Sequence, residues 1–418
     1  MSKNSKIFSV IYCIPFFAIS FLPSQYASFF RYPSPLGELR PDFLLLTFCL
    51  IFFILISAGQ INLTALRELT SLLIISFIFF VMNVLSIYVN DLSFESFRYS
   101  LFSFLFCFGF LILASLSRWK INHIFVLKIF AFASTLVSIM GVLEFFQLFD
   151  PYKPLYLFDN PWFGSGNTIP RIVSSIGNPL VLSGYLLLII PILFYLKELS
   201  NSENKWNLLI LLHILALFLT QSRSALIVFL VMILYFSSKS FNSFFKNSFT
   251  ALAGISIFLL IISNTGFGQE FVNRLLFRTS YDSITIRGDA FSLTTSILQS
   301  GYNLLFGVGP NMVNSYIQNS GMTSIQTLDN VFLMLISSVG ILGFIPFVLL
   351  LIFLFIKFNR METSLKKVGN SLLIIFVGMG FSFNVTYYTA VWGCFWAISS
   401  LLVMHNMNNK LKNKKLHV

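Results

Sequence analysis

Residues 219–230 read LTQSRSALIVFL, and the fold depends on whether Arg223 in this stretch lies within one long helix or between two shorter ones. The stretch lies within residues 206–236, which are mostly apolar. As one helix they would be about 46 Å long at about 1.5 Å per residue, whereas a membrane's hydrocarbon core is about 30 Å thick. Two structures are therefore open: a single long helix, or a helical hairpin that turns at TQSRS with Arg223 at its tip.

The composition is that of an integral membrane protein. Of the 418 residues, 56% are hydrophobic and 10% are charged, and the mean hydropathy is +0.84. Apolar segments recur from end to end, so we predict an all-α, polytopic single membrane domain over 1–418, with an uncleaved first span instead of a signal peptide. The twelve predicted spans are 7–28, 43–59, 70–89, 97–117, 124–148, 179–196, 205–220, 223–238, 249–265, 330–356, 369–385 and 386–405.

Charge distribution favours the hairpin over the long helix. With twelve spans and a cytoplasmic N-terminus, the inner segments hold 18 of the 27 lysines and arginines and the outer segments hold 9. A single helix over 206–236 would invert everything after it and place the lysine-rich tail KLKNKK outside, against the positive-inside rule. We therefore predict a bacterial inner-membrane protein with both termini cytoplasmic and two larger periplasmic loops, 149–178 and 266–329, the second with short helices.

Arginine dominates the basic residues predicted for the outer face, where Lys153 is the one lysine. Arginine binds phosphate through a planar, bidentate fork, so this bias suggests an anionic, phosphate-bearing substrate. Pairing with outer acids or lipid headgroups is the alternative. The outer arginines are Arg31, Arg40, Arg98, Arg171, Arg223, Arg274, Arg278 and Arg287.

Arg223 is the strongest functional candidate among them. Two helices of about 16 residues are short for a full crossing, so the tip is expected to lie in a cavity below the outer surface. An ionisable group at that depth indicates a functional site, although a snorkelling anchor is the other interpretation.

The second outer loop supplies further candidates. It contains NRLLFRTSYDSITIRGDAFSLTTSIL, which predicts a helix beginning near Ile286 with Arg287 at its start. The turn LLFGVGPNMV then predicts a close backbone approach at its glycines. In QTLDNVFLMLISSVGILGF, Asp329 and Asn330 stand at the outer mouth of the next span, where helix capping is the simple role for Asp329.

Histidine chemistry and metal chemistry are disfavoured on the outer face. The four histidines, His123, His213, His405 and His417, fall on the inner side or in mid-span. The outer groups that remain for acid–base chemistry are carboxylates, among them Glu144, and they are too scattered for a metal site. We therefore predict a reaction without a metal.

The order of these motifs resembles a known superfamily. TQSRSALIVF at a hairpin, IRGDAFSLTTSIL, FGVGPN and LDNVFLMLISSVGILGF, preceded by PRIVSSIGNPLVLSGYL, are similar to the shared C-terminal half of the O-antigen polymerase (Wzy-type) and O-antigen ligase superfamily. The similarity covers roughly residues 170–345. Arg223 matches the superfamily's hairpin arginine, Arg287 its loop-helix arginine, and Asn330 its asparagine.

The resemblance implies a glycosyltransferase of glycosyltransferase-C-like fold that acts at the periplasmic face on undecaprenyl-pyrophosphate-linked oligosaccharide, without metal, cofactor or nucleic acid. The other implied partners are membrane lipids, a chain-length regulator protein and a flippase. Asp329 stands where ligases have histidine, which favours a polymerase. The resulting hypothesis is that Arg171, Arg223, Arg278 and Arg287 bind the pyrophosphate, that Asn330 contributes to substrate binding, and that Asp329 or Glu144 is the base.

Two other functions remain as alternatives. An O-antigen ligase would transfer the finished glycan to lipid A core from the same carrier. A flippase or transporter would be expected to show an internal repeat and charges at the midplane of both halves.

Overall fold

The computed structural model describes residues 3–22, 41–57, 63–90, 94–117, 121–148, 171–200, 203–238, 269, 280–309, 312–319 and 328–416. In these ranges the regular structure is entirely helical. The helices are α1 (Lys3–Phe21), α2 (Pro41–Ser57), α3 (Leu63–Val89), α4 (Phe94–Ser117), α5 (His123–Phe145), α6 (Pro179–Glu198), α7 (Glu203–Leu219), α8 (Arg223–Ser237), α9 (Ser280–Leu298), α10 (Gly301–Phe306), α11 (Met312–Asn319), α12 (Val331–Asn359), α13 (Thr363–Gly380) and α14 (Thr389–Leu416), with a 3₁₀ turn at Ser174–Ile176.

Several of these helices can cross a membrane. Four in the described ranges are long and apolar enough by themselves: Leu69–Val89, His123–Phe145, Pro179–Glu198 and Val331–Asn359. Five shorter apolar helices accompany them: Lys6–Phe21, Leu44–Leu55, Phe104–Ser115, Asn204–Leu219 and Arg223–Ser237. The prediction of an all-α, polytopic membrane protein is therefore confirmed.

Most predicted spans coincide with a helix, but several boundaries were wrong. Helix α1 ends at Phe21, before residue 28, and α14 begins at Thr389, not at residue 386. Helix α5 ends at Phe145, three residues before the predicted end, and α13 ends at Gly380 instead of residue 385. Residues 381–388 form turns, and the apolar residues Phe381, Phe383 and Val385 within them continue the apolar run past the end of the helix. Helix α9 begins at Ser280, not near Ile286, since Ser and Asp favour a helix's first turn. The predicted span 249–265 lies outside the described residues, so the count of twelve stays a prediction.

The hairpin prediction is confirmed. Helix α7 ends at Leu219 and α8 begins at Arg223, with Thr220 to Ser222 as the turn between them. Gln221 takes a left-handed conformation with φ 53°, and the Ser222 hydroxyl accepts a hydrogen bond from the Ala225 N–H at 3.4 Å. These two features end one helix and cap the next, so the apolar run does not continue as a single helix.

Helices α8 and α13 are antiparallel neighbours. At one end the Lys367 ammonium donates to the Phe236 carbonyl and the Asn370 amide donates to the Tyr235 hydroxyl, both at 2.9 Å. Nearer the other end Gly378 faces Val228 so closely that an added Cβ would lie 2.6 Å from the valine Cγ2. The start of α8 and the end of α13 therefore share one end of the bundle, which we call the arginine end because it carries Arg223.

Close contacts also show at which end of the bundle α12 begins and where the first and last described helices lie. A Cβ on Gly380 would lie 2.7 Å from Val331 Cγ1, which places the first turn of α12 at the arginine end. At the opposite end, the Asn122 N–H donates to Ser9 Oγ at 3.0 Å and the rings of His123 and His405 lie 5.2 Å apart. Helices α1 and α14 thus bring the two ends of the described chain to the same end of the bundle.

The second loop packs against α12 at Gly307 and Gly340, a contact that we call the glycine joint. Helix α12 is kinked at Gly340, where φ is 63°, and the kink frees the carbonyls of Ser337 and Ser338. These carbonyls accept hydrogen bonds from Val308 N–H at 2.9 Å and Gly309 N–H at 2.8 Å. The predicted close approach at the FGVGPN turn is confirmed, because Cβ atoms on Gly307 and Gly340 would collide with backbone of the other segment.

Helix α3 completes this joint. Its Ser86 hydroxyl donates to the Ser338 carbonyl at 2.7 Å, and its Asn90 amide donates to the Gly307 carbonyl at 3.2 Å. Buried backbone groups at a helix kink need such partners in a membrane, so the joint satisfies groups that the kink exposes.

Helices α9 to α11 form a small unit of their own against α12. Their buried apolar side chains make a second hydrophobic cluster, separate from the main core, and Leu333 and Met334 of α12 pack against it. The loop that carries Arg287 is therefore an ordered cap attached to the first two turns of α12. The buried members of the cluster are Ala290, Leu293, Ile297, Val308, Val313, Ile317 and Leu328.

Candidate active site

The segment 171–174, which precedes α6 and which we call the brace, is hydrogen-bonded to the hairpin tip. Arg171, which is almost fully buried, donates through Nε to the Thr220 carbonyl at 2.9 Å, and the Ile172 N–H donates to the Leu219 carbonyl at 3.3 Å. The Leu219 carbonyl is the last of α7 and the Thr220 carbonyl follows it in the turn, so neither has a partner within the helix. The brace fixes where α7 ends and therefore where Arg223 begins α8.

Glu144 holds this brace in place. Its carboxylate is 2% exposed and accepts hydrogen bonds from the Val173 N–H at 3.1 Å and the Ser174 N–H at 2.6 Å. Ser174 itself has φ 50°, and its hydroxyl donates to the Val137 carbonyl at 2.7 Å. A carboxylate that accepts two backbone N–H groups stabilises a strained turn, so Glu144 has a structural task at this position.

Arg223 and Arg287 line the same cavity. This cavity has a volume of about 720 Å³ and lies between α8 and α13, with Arg287 reaching it from the cap helix α9. The sequence placed these two arginines in separate segments, and the fold brings them to one space. Two guanidinium groups at a shared cavity form a binding site for an anion with several oxygens, such as a pyrophosphate.

The cavity changes character along its length. Arg223, Ser224 and Ser382 lie at the arginine end, and apolar side chains of both helices continue the wall toward the middle of the bundle. From Arg223 to Val231 the wall of α8 extends about 12 Å at about 1.5 Å per residue. A charged mouth above an apolar groove suits an amphiphile with an anionic head and a hydrocarbon tail. The apolar wall consists of Ile227, Val228, Val231, Leu373, Ile374, Val377 and Gly378, and Phe381 lies next to Ser382 at the arginine end.

Asp329 and Asn330 stand beside the cavity without lining it. The Asn330 side chain is the N-cap of α12 and accepts from the Phe332 N–H at 2.9 Å and the Leu333 N–H at 3.1 Å. The cap expected of Asp329 is thus made by Asn330, and Asp329 is exposed just before it. Phe332 packs its ring 4.8 Å from that of Phe381, which does line the cavity. A short chain of contacts therefore joins the Asp329 end of α12 to the cavity rim.

The predicted site residues fall into three groups. Arg223 and Arg287 line the cavity. Asp329 and Asn330 stand at the start of α12, which contacts the cavity wall through Phe332 and Phe381. Arg171 and Glu144 lie behind the hairpin tip and do not line the cavity. Arg278 lies outside the described residues. Arg287 is in the second turn of α9, not at its start, because the helix begins earlier than predicted.

Sequence reasoning missed the wall that α13 contributes. Phe381, Ser382 and the apolar residues before them were assigned to an ordinary span, because a cavity wall and a lipid-facing surface have the same hydropathy. The run FSFNVTYY at 381–388 was the available signal, since it combines aromatic and polar residues directly after three turns of small and apolar ones.

Fold and site together define a polytopic helical membrane protein with a cationic, partly apolar cavity at one end of its bundle. Residues 208–348 match the family model described as O-antigen ligase. The matched segment contains Arg223, Arg287, Asp329 and Asn330, so the predicted resemblance to the O-antigen polymerase and ligase superfamily is confirmed. Comparison with curated proteins gave no match.

The family match supports a glycosyltransferase-like enzyme of O-antigen ligase or polymerase type, active in the membrane in O-antigen or lipopolysaccharide biosynthesis. It does not separate polymerases from ligases, since both types share this segment.

Proposed function

We propose that this protein is a glycosyltransferase that polymerises undecaprenyl-pyrophosphate-linked repeat units of O-antigen or a similar surface polysaccharide. The observation that carries the proposal is the cavity itself, which joins two arginines to an apolar groove. A lipid pyrophosphate has these two parts in the same order. A soluble sugar nucleotide would leave the apolar groove without an occupant.

The proposed reaction is a displacement at the anomeric carbon of the lipid-linked sugar. A hydroxyl group of the acceptor glycan attacks that carbon, the bond to the pyrophosphate oxygen breaks, and undecaprenyl pyrophosphate leaves with the electron pair. Arg223 and Arg287 bind the negative charge that develops on the leaving group, with Arg171 and Arg278 as further candidates from the sequence. The proton of the attacking hydroxyl goes to a carboxylate, and no metal takes part.

We favour Asp329 as that carboxylate, since it is exposed at the rim, whereas Glu144 is engaged with backbone N–H groups. Asp329→Asn is expected to lower turnover by about 10²- to 10⁴-fold, because an amide cannot accept the proton of the attacking hydroxyl. Glu144→Gln is expected to lower the melting temperature through weaker support of the brace, with near-normal turnover per folded molecule. Turnover and melting temperature of both purified variants check this, and full activity in both would eliminate both residues as bases.

The periplasmic face is our assignment for the arginine end. The opposite end carries Lys197, Lys205, Lys357, Lys366 and Lys367 on its helix ends and connections, and both ends of the described chain lie there. The positive-inside rule makes that end cytoplasmic. Cysteine labelling of residues next to Arg223 and Lys366 from each side of the membrane tests this orientation.

The lipopolysaccharide ladder of a deletion strain tests the polymerase directly. Loss of a polymerase is expected to leave core capped with a single repeat unit, because ligation continues without chain growth. A complete absence of capped core would instead identify an O-antigen ligase, the second candidate. An unchanged ladder would contradict both.

A further inference from the structure

The rim of the cavity has an aromatic side chain at the level of the arginines. Phe381 and Ser382 line the cavity, and they follow directly on the last turn of α13. Because α8 and α13 are antiparallel and touch at Val228 and Gly378, this position lies level with the start of α8, where Arg223 stands. Phe381 is 57% exposed, so most of its ring is open to a ligand.

The ring of Phe381 is held in a defined position. It packs 4.8 Å from the ring of Phe332, in the first turn of α12. That turn approaches α13 closely because Gly380 has no side chain in the way. Asn330 caps the same turn and Asp329 precedes it. Phe381 therefore lines the cavity and also contacts the turn of α12 that follows the proposed base.

The connection after Phe381 adds further aromatic and polar groups. The Tyr388 ring lies 5.6 Å from the Phe383 ring and 5.3 Å from the Tyr387 ring, and Tyr387 is exposed. The Thr386 hydroxyl donates to Asn384 Oδ1 at 2.7 Å. Residues 381–388, which we call the rim segment, thus combine aromatic rings with hydroxyl and amide groups, and the segment enters the cavity lining through Phe381 and Ser382.

We propose that the rim segment binds the sugar ring that is bonded directly to the pyrophosphate, with Phe381 stacked on its C–H face. The inference rests on the proposed function and deepens it. Once the two arginines hold the phosphates and the groove holds the tail, this sugar is the next group outward. A sugar has an apolar C–H face and polar edges, which match an aromatic ring flanked by hydroxyl and amide groups.

Specificity for the donor sugar follows from this placement. The rim segment lies outside residues 208–348, the part that matches the O-antigen ligase family. The arginines inside the matched part recognise the phosphates, which all such donors share. The sugar varies between polysaccharides, and a segment outside the shared part is where a residue that selects it is expected.

Binding of two lipids to the full-length protein in nanodiscs tests the proposal. The probes are bare undecaprenyl pyrophosphate and the lipid-linked repeat unit extracted from cells that make the polysaccharide. Phe381→Ala is expected to weaken binding of the glycosylated lipid about tenfold and to leave binding of the bare lipid unchanged. Phe381→Tyr retains the ring and is expected to bind both lipids as the wild type does.

Phe146→Ala is the matched control, because Phe146 is 61% exposed at the end of α5 and does not line the cavity. It is expected to change neither affinity. Equal weakening of both lipids by Phe381→Ala, or no change in either, would overturn the sugar subsite while leaving the proposed function intact. Failure of the wild-type protein to bind either lipid would contradict the proposed function, and the sugar subsite with it.

Discussion

Arg223→Lys is expected to lower kcat/KM for the lipid-linked donor by about 10²-fold, and Arg223→Ala by about 10³-fold. Lysine retains the positive charge but has no planar fork, so it cannot bind two phosphate oxygens in parallel. The variants should fold normally, because the cap of α8 is formed by Ser222 and the packing by the apolar residues that follow. Rates with purified protein and polymer length on gels give the measurement.

Arg360→Lys provides the control for this prediction. Arg360 is an exposed arginine at the end of α12, at the end of the bundle opposite Arg223. Its replacement should leave kcat/KM unchanged. Normal polymer length in Arg223→Lys cells, at normal protein level, would contradict the role of Arg223 in pyrophosphate binding. A parallel loss in Arg360→Lys would point to a general effect of surface charge.

Gly340→Ala is expected to abolish the folded protein or to lower its stability by about 2–5 kcal/mol. Gly340 has φ 63°, which disfavours any side chain, and a Cβ would collide with the Leu305 carbonyl. The Gly307 turn would be forced away from α12, and with it the cap that carries Arg287. We expect little protein in the membrane fraction, and a lower melting temperature in detergent for any that remains.

Gly301→Ala is the matched substitution at a glycine without these constraints. Gly301 begins α10 in the same cap, and a Cβ there would meet nothing within 4 Å. Its replacement should leave yield and activity unchanged and can raise stability slightly. If Gly340→Ala were as stable as Gly301→Ala, the glycine joint would not hold the cap on α12.

Much of the helical arrangement of the described residues could be predicted from the sequence. The hairpin at residues 220–222 was predicted because a helix of about 46 Å is too long for the bilayer and because its inversion would expose the lysine-rich tail. The close approach at Gly307 was predicted from the residue type alone. Helix ends were less accurate: α13 was predicted to extend five residues beyond Gly380, since Phe381, Phe383 and Val385 continue the apolar run into the turn that follows.

The site could be predicted only in part. Arg223 and Arg287 were selected by residue type, because lysine is nearly absent from the predicted outer face while arginine is not. Glu144 was selected in the same way as a base, and no sequence signal showed that its carboxylate accepts hydrogen bonds from Val173 and Ser174. Ser174 lies 30 residues after Glu144, and sequence spacing does not predict a contact between residues so far apart.

The sequence by itself determined the class of protein and the hairpin, and it selected the arginines of the predicted outer face. These features depend on hydropathy and charge, which can be evaluated for each segment of the sequence separately. Only the tertiary structure decided that Arg223 and Arg287 line one cavity, that α13 supplies its apolar wall, and that Phe381 stands at its rim. Those relations arise from helix packing between distant segments, and a local pattern carries no information about which face of an apolar helix meets lipid and which meets a cavity.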